Sequence, residues 1–586
     1  MSQRLMAFLL FAVNLTYAQL SISNDNYVFV SNQVIFVEDD VNLNESNSRI
    51  YLRDEGQLIQ GSGLTGNSGE GELSVYQEGN VGAHEFNYWC SPIGTKDNTT
   101  TNNNFGISLL NDITGLTTSI PATYNRSSSY NGTSNPLNIE PYWIWKFPAS
   151  SNYSGWVHVQ ASSTINPGEG FSMKGTTGSN NMQSYDFRGK PNNGTINNNV
   201  ENEQYTLVGN PYPSALDALE YIHDINNETV ITGSLYYWEQ DLNTNSHYLS
   251  EYNGGYASYT INSTGTVETY VPATFSTYNN QGNINGNGEE SASGKRPRRY
   301  IPIGQGFMVE GTASGSVQTK NSHRVFEKES GSNSEFFKSS NIKETVIPSS
   351  NFSTVPDDYK RFRLNIDFNS LYTRQLVETF HHSATNGFDY GLESTIAARS
   401  ILSSDAYLSS ESNNYVAEAL AFNQDLQIPL IIITATKTPI NIRVIDVQNF
   451  NNAPIYLYDK ENNTFTDLTR QPFHINLDAG TYTTRFEIRF IQNTLSNESL
   501  VKHVDLNVFQ NNRLSLLKIL NPKNLNIRSI EFYDVLGKRV FDKKETSSKK
   551  AYSYTTRNLS NGIYIVNITL SNNQNITKKI IVSNSY

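Results

Sequence analysis

The sequence predicts an all-β, multidomain protein, and three observations lead there. Charged residues make up only 17% of the 586 residues, and Asn, Ser, Thr, Gly and 35 Tyr take their place; such a composition suits two-faced antiparallel sheets and suits helix bundles poorly. Apolar residues alternate with polar ones in short runs, as where Phe362, Leu364, Ile366 and Phe368 interleave with Arg361, Arg363, Asn365 and Asp367, which is the two-residue period of a half-buried strand. Breaks rich in Asn and Gly then separate the runs. A chain of this length exceeds a single core, so three or four domains of roughly 100 to 200 residues are expected. The predicted architecture is a series of β-sandwich modules ending in an immunoglobulin-like sandwich.

Composition also excludes some functions. A net charge of -12 and an isoelectric point near 5.3 argue against a nucleic-acid partner, because affinity for a phosphate backbone needs clustered Lys and Arg. The one basic run, Lys295 to Arg299, is short and reads as a solvated loop. Cys90 is the only cysteine, which rules out an intrachain disulfide and a thiolate metal centre.

In chain order, residues 1–18 read as a secretory signal. Arg4 supplies the basic start, Ala7 to Val13 the apolar stretch, and Thr16-Tyr-Ala18 a small-residue cleavage site, with Gln19 as the new N-terminus. The apolar stretch is too short to span a bilayer, and no later run reaches the ~20 apolar residues of a transmembrane helix. Residues 19–80 hold recurring apolar triplets, among them Val28-Phe-Val30, Ile35-Phe-Val37 and Ile50-Tyr-Leu52. Two readings fit them equally: rungs of a short β-solenoid, or an antiparallel meander.

Residues 81–326 contain an internal repeat, at about 81–200 and 201–326. Gly168-Glu-Gly-Phe-Ser-Met-Lys-Gly-Thr176 matches Gly304-Gln-Gly-Phe-Met-Val-Glu-Gly-Thr312. Tyr88 to Pro92 and Tyr142 to Trp145 precede the first copy, and Gly209 to Pro213 and Tyr236 to Trp238 precede the second. Glycines flanking a Phe in a strand indicate close backbone approach or a bulge, so these anchors predict architecture. Residues 327–358 read as a linker, 359–492 as a β-sandwich, 493–512 as a connector and 513–586 as a terminal domain.

Motifs for chemistry are sparse. There is no His-Glu-x-x-His pair and no Gly-x-Ser-x-Gly elbow, and a non-enzymatic protein is expected. Asp241, Asn243 and Asn245 alternate as in a calcium loop, with Glu251 to close it. Ser246, however, stands where such a loop has its glycine, and a polar hairpin turn explains the same residues. Calcium is the one cofactor the sequence allows. His381 and His382, read as neighbours on a strand, would face opposite ways as a solvated pair. Tyr248, Tyr252, Tyr256 and Tyr259 form either an exposed aromatic platform or a cross-strand core ladder.

The last segment carries the strongest motif order: Asn521-Pro522, a strand ending in Asp534, the turn Gly537-Lys538, Asn561-Gly562 and Tyr564 within Leu-Ser-Asn-Gly-Ile-Tyr, and Lys578-Lys579 within Thr-Lys-Lys-Ile-Ile-Val. This order resembles the type A C-terminal sorting domain of proteins exported by the type IX secretion system of Bacteroidetes. The usual Tyr-Pro-Asn-Pro opening is reduced here to Leu520-Asn521-Pro522. The resemblance implies that a translocon and an outer-membrane shuttle read the tail, and that a cell-surface sortase removes it. The body would then be secreted or anchored on the outer surface.

Residues Asn87 to Pro92, Leu207 to Pro213 and Arg299 to Phe307 likewise resemble the body of Bacteroidetes surface proteins with that tail. The expected role is therefore binding or adhesion through β modules to an extracellular ligand such as a polysaccharide. The alternative is a carbohydrate-binding or carbohydrate-active protein.

Overall fold

The computed structural model describes residues 19–63, 65–80, 82–178, 182–241, 244–290, 296–331, 333–335, 352–411, 413–492, 506–544, 548–572 and 575–584. The predicted signal with its Ala18 lies outside them; Gln19 is the first described residue. The chain divides between Gln492 and Asn493 into two compact units. Both are built of strands, and the single α-helix among the described residues is the short Ala218–Ile222.

The first strands stack in parallel, which decides between the two readings in favour of the solenoid. Leu20–Ile22, Val41–Leu43 and Ser68–Gly69 form one ladder. Tyr27–Ser31, Arg49–Arg53 and Glu72–Asn80 form a second, and Val34–Val37 with Gln57–Gln60 a third. Each coil buries its apolar residues inward, with Val41, Leu43, Ile50, Leu52, Leu58 and Leu73 at the centre. Asn32, Asp54 and Glu55 turn the corners in the left-handed region, a conformation that short polar side chains tolerate best. The predicted break at residue 80 is absent: Glu72–Asn80 pairs along its length with Met182–Pro191, so solenoid and first repeat share one sheet and one core.

The repeat predicted from the glycine motif is present strand for strand. In the first copy the order is Val157–His158, Trp145–Lys146, Gly170–Lys174, Phe86–Cys90; in the second it is Asn253–Ile261, Ile231–Gln240, Gly306–Gly311, Tyr205–Gly209, all antiparallel. Pairing register makes Gly170 opposite Cys90 equivalent to Gly306 opposite Gly209. Gly168 and Gly304 share a φ of +79°, which favours glycine because a side chain there is strained.

The two copies clasp each other. Glu169 of the first bridges Val208 of the second, and Gln305 of the second bridges Trp89 of the first. A Cβ on Gly170 would lie 2.6 Å from Leu207 Cγ, and one on Gly306 would lie 2.9 Å from the backbone N and O of Trp89. These glycines are architecture, as the sequence predicts.

The predicted sandwich at 359–492 is one large sheet folded round a core of Phe362, Leu364, Ile366, Leu430, Ile432 and Phe486. It is not a separate domain. The strand Lys360–Phe368, predicted half-buried, is buried on both faces: Arg361 and Arg363 are 0% and 1% exposed. Arg361 Nη1 donates to Glu268 O (2.8 Å) and Arg363 Nη1 to Tyr270 O (2.6 Å), both on the second repeat copy. Arg361 also donates from Nε to Thr379 and from Nη2 to Thr269, and Arg363 Nη1 to Gln375; this hydrogen bonding lets a charged row replace an apolar one at the contact.

The predicted linker is also tied down where it is described. Glu327 O accepts from Gln57, Glu329 from Gln77, and Phe352 and Val355 are buried.

The second unit is a small antiparallel sandwich. Asn507–Asn511, Leu516–Leu520 and Ala551–Thr555 form one sheet; Arg539–Lys544, Ile527–Asp534, Gly562–Leu570 and Asn575–Val582 form the other. Leu517, Ile519, Ile530, Phe532, Val566 and Ile568 fill its core. The sandwich begins before the predicted Arg513: Asn507–Asn511, assigned in the sequence to the connector, is its first strand. Polar residues in that strand (Asn507, Gln510 and Asn511) conceal its pairing partner from a period-two reading.

Candidate functional site

The densest chemistry sits on the first repeat copy. Lys174 ends the glycine-motif strand and is 4% exposed. Its Nζ lies 3.6 Å from the centre of the Trp143 ring, 4.7 Å from that of Phe86 and 4.8 Å from that of Tyr252. It also meets His247 Nδ1 (2.9 Å) and the Tyr252 hydroxyl. His247 Nε2 donates to Asn131 Oδ1 (2.7 Å), which leaves Nδ1 free to accept. Trp143 stacks on His247 at 4.9 Å and His84 lies 4.4 Å away.

Among the described residues no carboxylate pairs with Lys174, and burial pulls its pKa down to about 6. Three ring faces that attract the cation oppose that shift. His247 is held down to about 4, by burial first and then by the Lys174 charge. His247 and Tyr252 come from the hairpin of the second copy and close over the cage.

From the cage an aromatic row runs outward. Tyr130, 40% exposed, packs edge-on against Tyr142 at 5.1 Å; Tyr142 meets His158 at 5.3 Å, and His158 stacks on Trp145 at 4.2 Å. Arg126 lies over Tyr142 at 5.5 Å. Trp145 Nε1 donates to Tyr142 O (2.7 Å), which orients its ring. Of these four rings Tyr130 is exposed and Tyr142, Trp145 and His158 are half-buried. A cavity of about 20 Å³ between the second copy and the sandwich, lined by Tyr270, Arg296 and Arg363, has room for a single water.

Of the residues singled out in the sequence, Asp241 follows the strand Ile231–Gln240 of the second copy and hydrogen-bonds Asn253, while Asn245 is exposed in the hairpin. Asn243 lies outside the described residues. The tyrosine cluster splits: Tyr252 and Tyr259 are core, whereas Tyr248 and Tyr256 are exposed. Cys90 is wholly buried and its thiol is pushed well up by burial, with Glu169 adding to the shift. His381 and His382 do not lie on a strand; they occupy the turn after Tyr372–Phe380, with ring centres 4.0 Å apart.

In the terminal unit the motif residues are mostly structural. The Asn521 side chain is buried and spans Leu525 and Lys549 O; Asp534 Oδ1 accepts from Leu536 N and Lys538 N, so that Asp534, Gly537 and Lys538 form one turn. Asn561 holds Asn584 N, Gly562 starts a strand, and Tyr564 stacks on Phe532. Pro522, Lys538, Lys578 and Lys579 are exposed, as are Val535 and Leu536 at the hairpin tip.

The sequence reading missed the cage. A signal was present in the repeat itself: at matched positions the first copy has Lys174 and the second Glu310, a charge reversal that announces different surroundings.

Fold and site together define a class: a body of duplicated β modules, capped by a solenoid, backed by a sandwich and carrying a row of aromatic side chains, with a small sandwich as a separate unit. Within that class the chain belongs to the family described as "Domain of unknown function (DUF8693)", which matches residues 118–490. Residues 495–582 match a second family, "Domain of unknown function (DUF8694)". No curated protein matches the chain. Among solved structures, a chain titled "Biofilm associated protein - BSP domain" is similar at 8% identity over 75% of this chain and 88% of that one, with a TM-score of 0.11. A superposition that poor carries no argument.

Proposed function

We propose that this chain is a non-enzymatic, exported β protein of the cell surface or surrounding medium, which adheres to a saccharide-rich polymer through the aromatic row of its first repeat copy. The row carries the reading, because Tyr130, Tyr142, His158 and Trp145 adjoin ring to ring and each stays at least partly exposed, and ring faces with a polar handle suit partners that are part apolar and part hydroxylated. The groups with displaced protonation support binding over catalysis: Cys90, Lys174 and the Glu378–Glu418 pair are all enclosed in packed sheet, where a substrate's approach is blocked.

Binding of the full chain to soluble and immobilised surface polysaccharides, followed by tryptophan fluorescence, tests this. Trp145→Ala and Tyr142→Ala should each weaken binding by about tenfold or more while the circular dichroism stays unchanged. Undiminished binding by both variants would refute the row as the binding surface.

The export half of the reading rests on the terminal unit. It has its own core and turns and a family match separate from the body, as a removable signal would need, and it exposes Leu536, Lys538, Lys578 and Lys579 to partners. Its proposed readers are the type IX translocon, the outer-membrane shuttle and the sortase. Deletion of residues 506–586 should trap the protein in the periplasm, and mature surface protein should lack that segment. Normal export of the deleted chain would leave the unit as one more structural domain.

A further inference from the structure

We propose that Asp358, His381 and His382 bind a divalent transition-metal ion of borderline softness, Zn²⁺ foremost. Asp358 stands just before the strand Lys360–Phe368, and the histidines stand just after Tyr372–Phe380; Lys360 pairs with Phe380, so the two strand ends bring all three residues together. One ligand atom from each lies within 4.8 Å of the others. Asp358 Oδ2 is 3.2 Å from His381 Nε2.

The His381 ring is already fixed in place. Tyr359 stacks on it at 4.0 Å and 8°, and Ser383 Oγ lies 2.6 Å from Nδ1. Ser383 N donates to the same Nδ1 (3.3 Å), so contacts on one side of the ring hold it with Nε2 facing Asp358, as outer-shell contacts orient metal-bound imidazoles. His381 N donates to Leu420 O and Ala384 N to His381 O, so the turn's backbone is held as well. Two imidazoles and one carboxylate suit Zn²⁺, Ni²⁺ or Cu²⁺ and suit calcium poorly, because calcium takes oxygen ligands. Three protein ligands leave the remaining positions to water. An ion here would clip the chain leading into the sandwich onto the turn that leaves its second strand.

The test is calorimetric titration of Zn²⁺ into the full chain after chelator treatment. One saturable site is expected, weakened by about tenfold or more in His382→Ala and in Asp358→Asn and unchanged in His474→Ala, an exposed histidine on another strand. Because His382 and Asp358 are exposed, these variants should keep the fold, which circular dichroism checks. Absence of saturable binding would overturn the proposal. So would an isotherm that His382→Ala leaves unchanged, or one that His474→Ala weakens as much.

Discussion

The two repeat copies place a cation over an aromatic ring at the same point, yet they obtain it from different sources. In the first copy Lys174 pairs across the sheet with Phe86 and lies over that ring. In the second, the matched pair is Glu310 with Tyr205; there the cation is Arg399, which comes from the 359–492 region, lies over Tyr205 at 4.9 Å and binds Glu310 at 2.7 Å. One copy has therefore filled its own cage, and the other has used the same place as a dock. The repeat specifies a scaffold, and the neighbour decides which copy keeps a free surface.

The strongest way to break the equivalence is to disturb the clasp. Gly306→Ala forces a Cβ against three backbone atoms of Tyr88 and Trp89, which cannot swing aside, whereas Gly170→Ala meets the Leu207 side chain and a single backbone atom, Val208 O. Urea denaturation should show a loss of about 3 kcal/mol for Gly306→Ala and about 1 to 2 for Gly170→Ala. Equal losses would mean that both interfaces are equally rigid.

The cation sites should respond with opposite signs. Arg399→Met leaves the buried Glu310 without its partner and should cost about 2 kcal/mol. Lys174→Met exchanges a buried ammonium that lacks a carboxylate for an apolar chain of similar length, and should stabilise by about 1 kcal/mol at pH 5. Its pH dependence follows from the depressed pKa. Below about 6 both folded and unfolded chains hold the proton, and burial of the charge costs stability in full; as pH rises above that, the folded chain alone sheds it and the cost fades. The advantage of Lys174→Met should therefore shrink from pH 5 to pH 9, and an advantage that grows would contradict the burial argument.

Much of the scaffold was legible in the residues, because period-two alternation and paired glycine motifs report directly on strands and on close backbone approach. The parallel solenoid was half-legible. Its coils repeat at about the same spacing, with Tyr27 over Arg49 and Arg49 over Glu72, but three coils are too few to separate stacking from a meander. Arg361 and Arg363 were misplaced because alternation shows that two faces differ, not that the polar face meets solvent. His381 and His382 were misplaced because no Gly, Pro or Asn marks the turn they occupy. The cage was hidden because its rings come from distant segments, which only the inter-copy clasp brings together.

The covering of the second copy offers the finest test. Glu378 and Glu418 face each other across the one parallel pairing among the described residues of the 359–492 region and are 1% exposed. Burial pushes Glu418 up to about 7 and Glu378 well above its ordinary range; Glu393, raised to about 8 by burial, lies close enough to add to the Glu378 shift. A carboxyl whose folded pKa is raised contributes its stability in full below the ordinary carboxylate range and loses it as pH rises through the folded value.

Glu418→Gln keeps the shape of the protonated acid and cannot ionise. It should match the parent within about 0.5 kcal/mol at pH 5 and exceed it by about 1 kcal/mol at pH 8.5, measured as urea midpoints at both pH values. The same difference at both would show that Glu418 does not titrate in this range. The predicted divergence would mean that the parallel pairing of Tyr372–Phe380 with Asn413–Leu420 is held by protons.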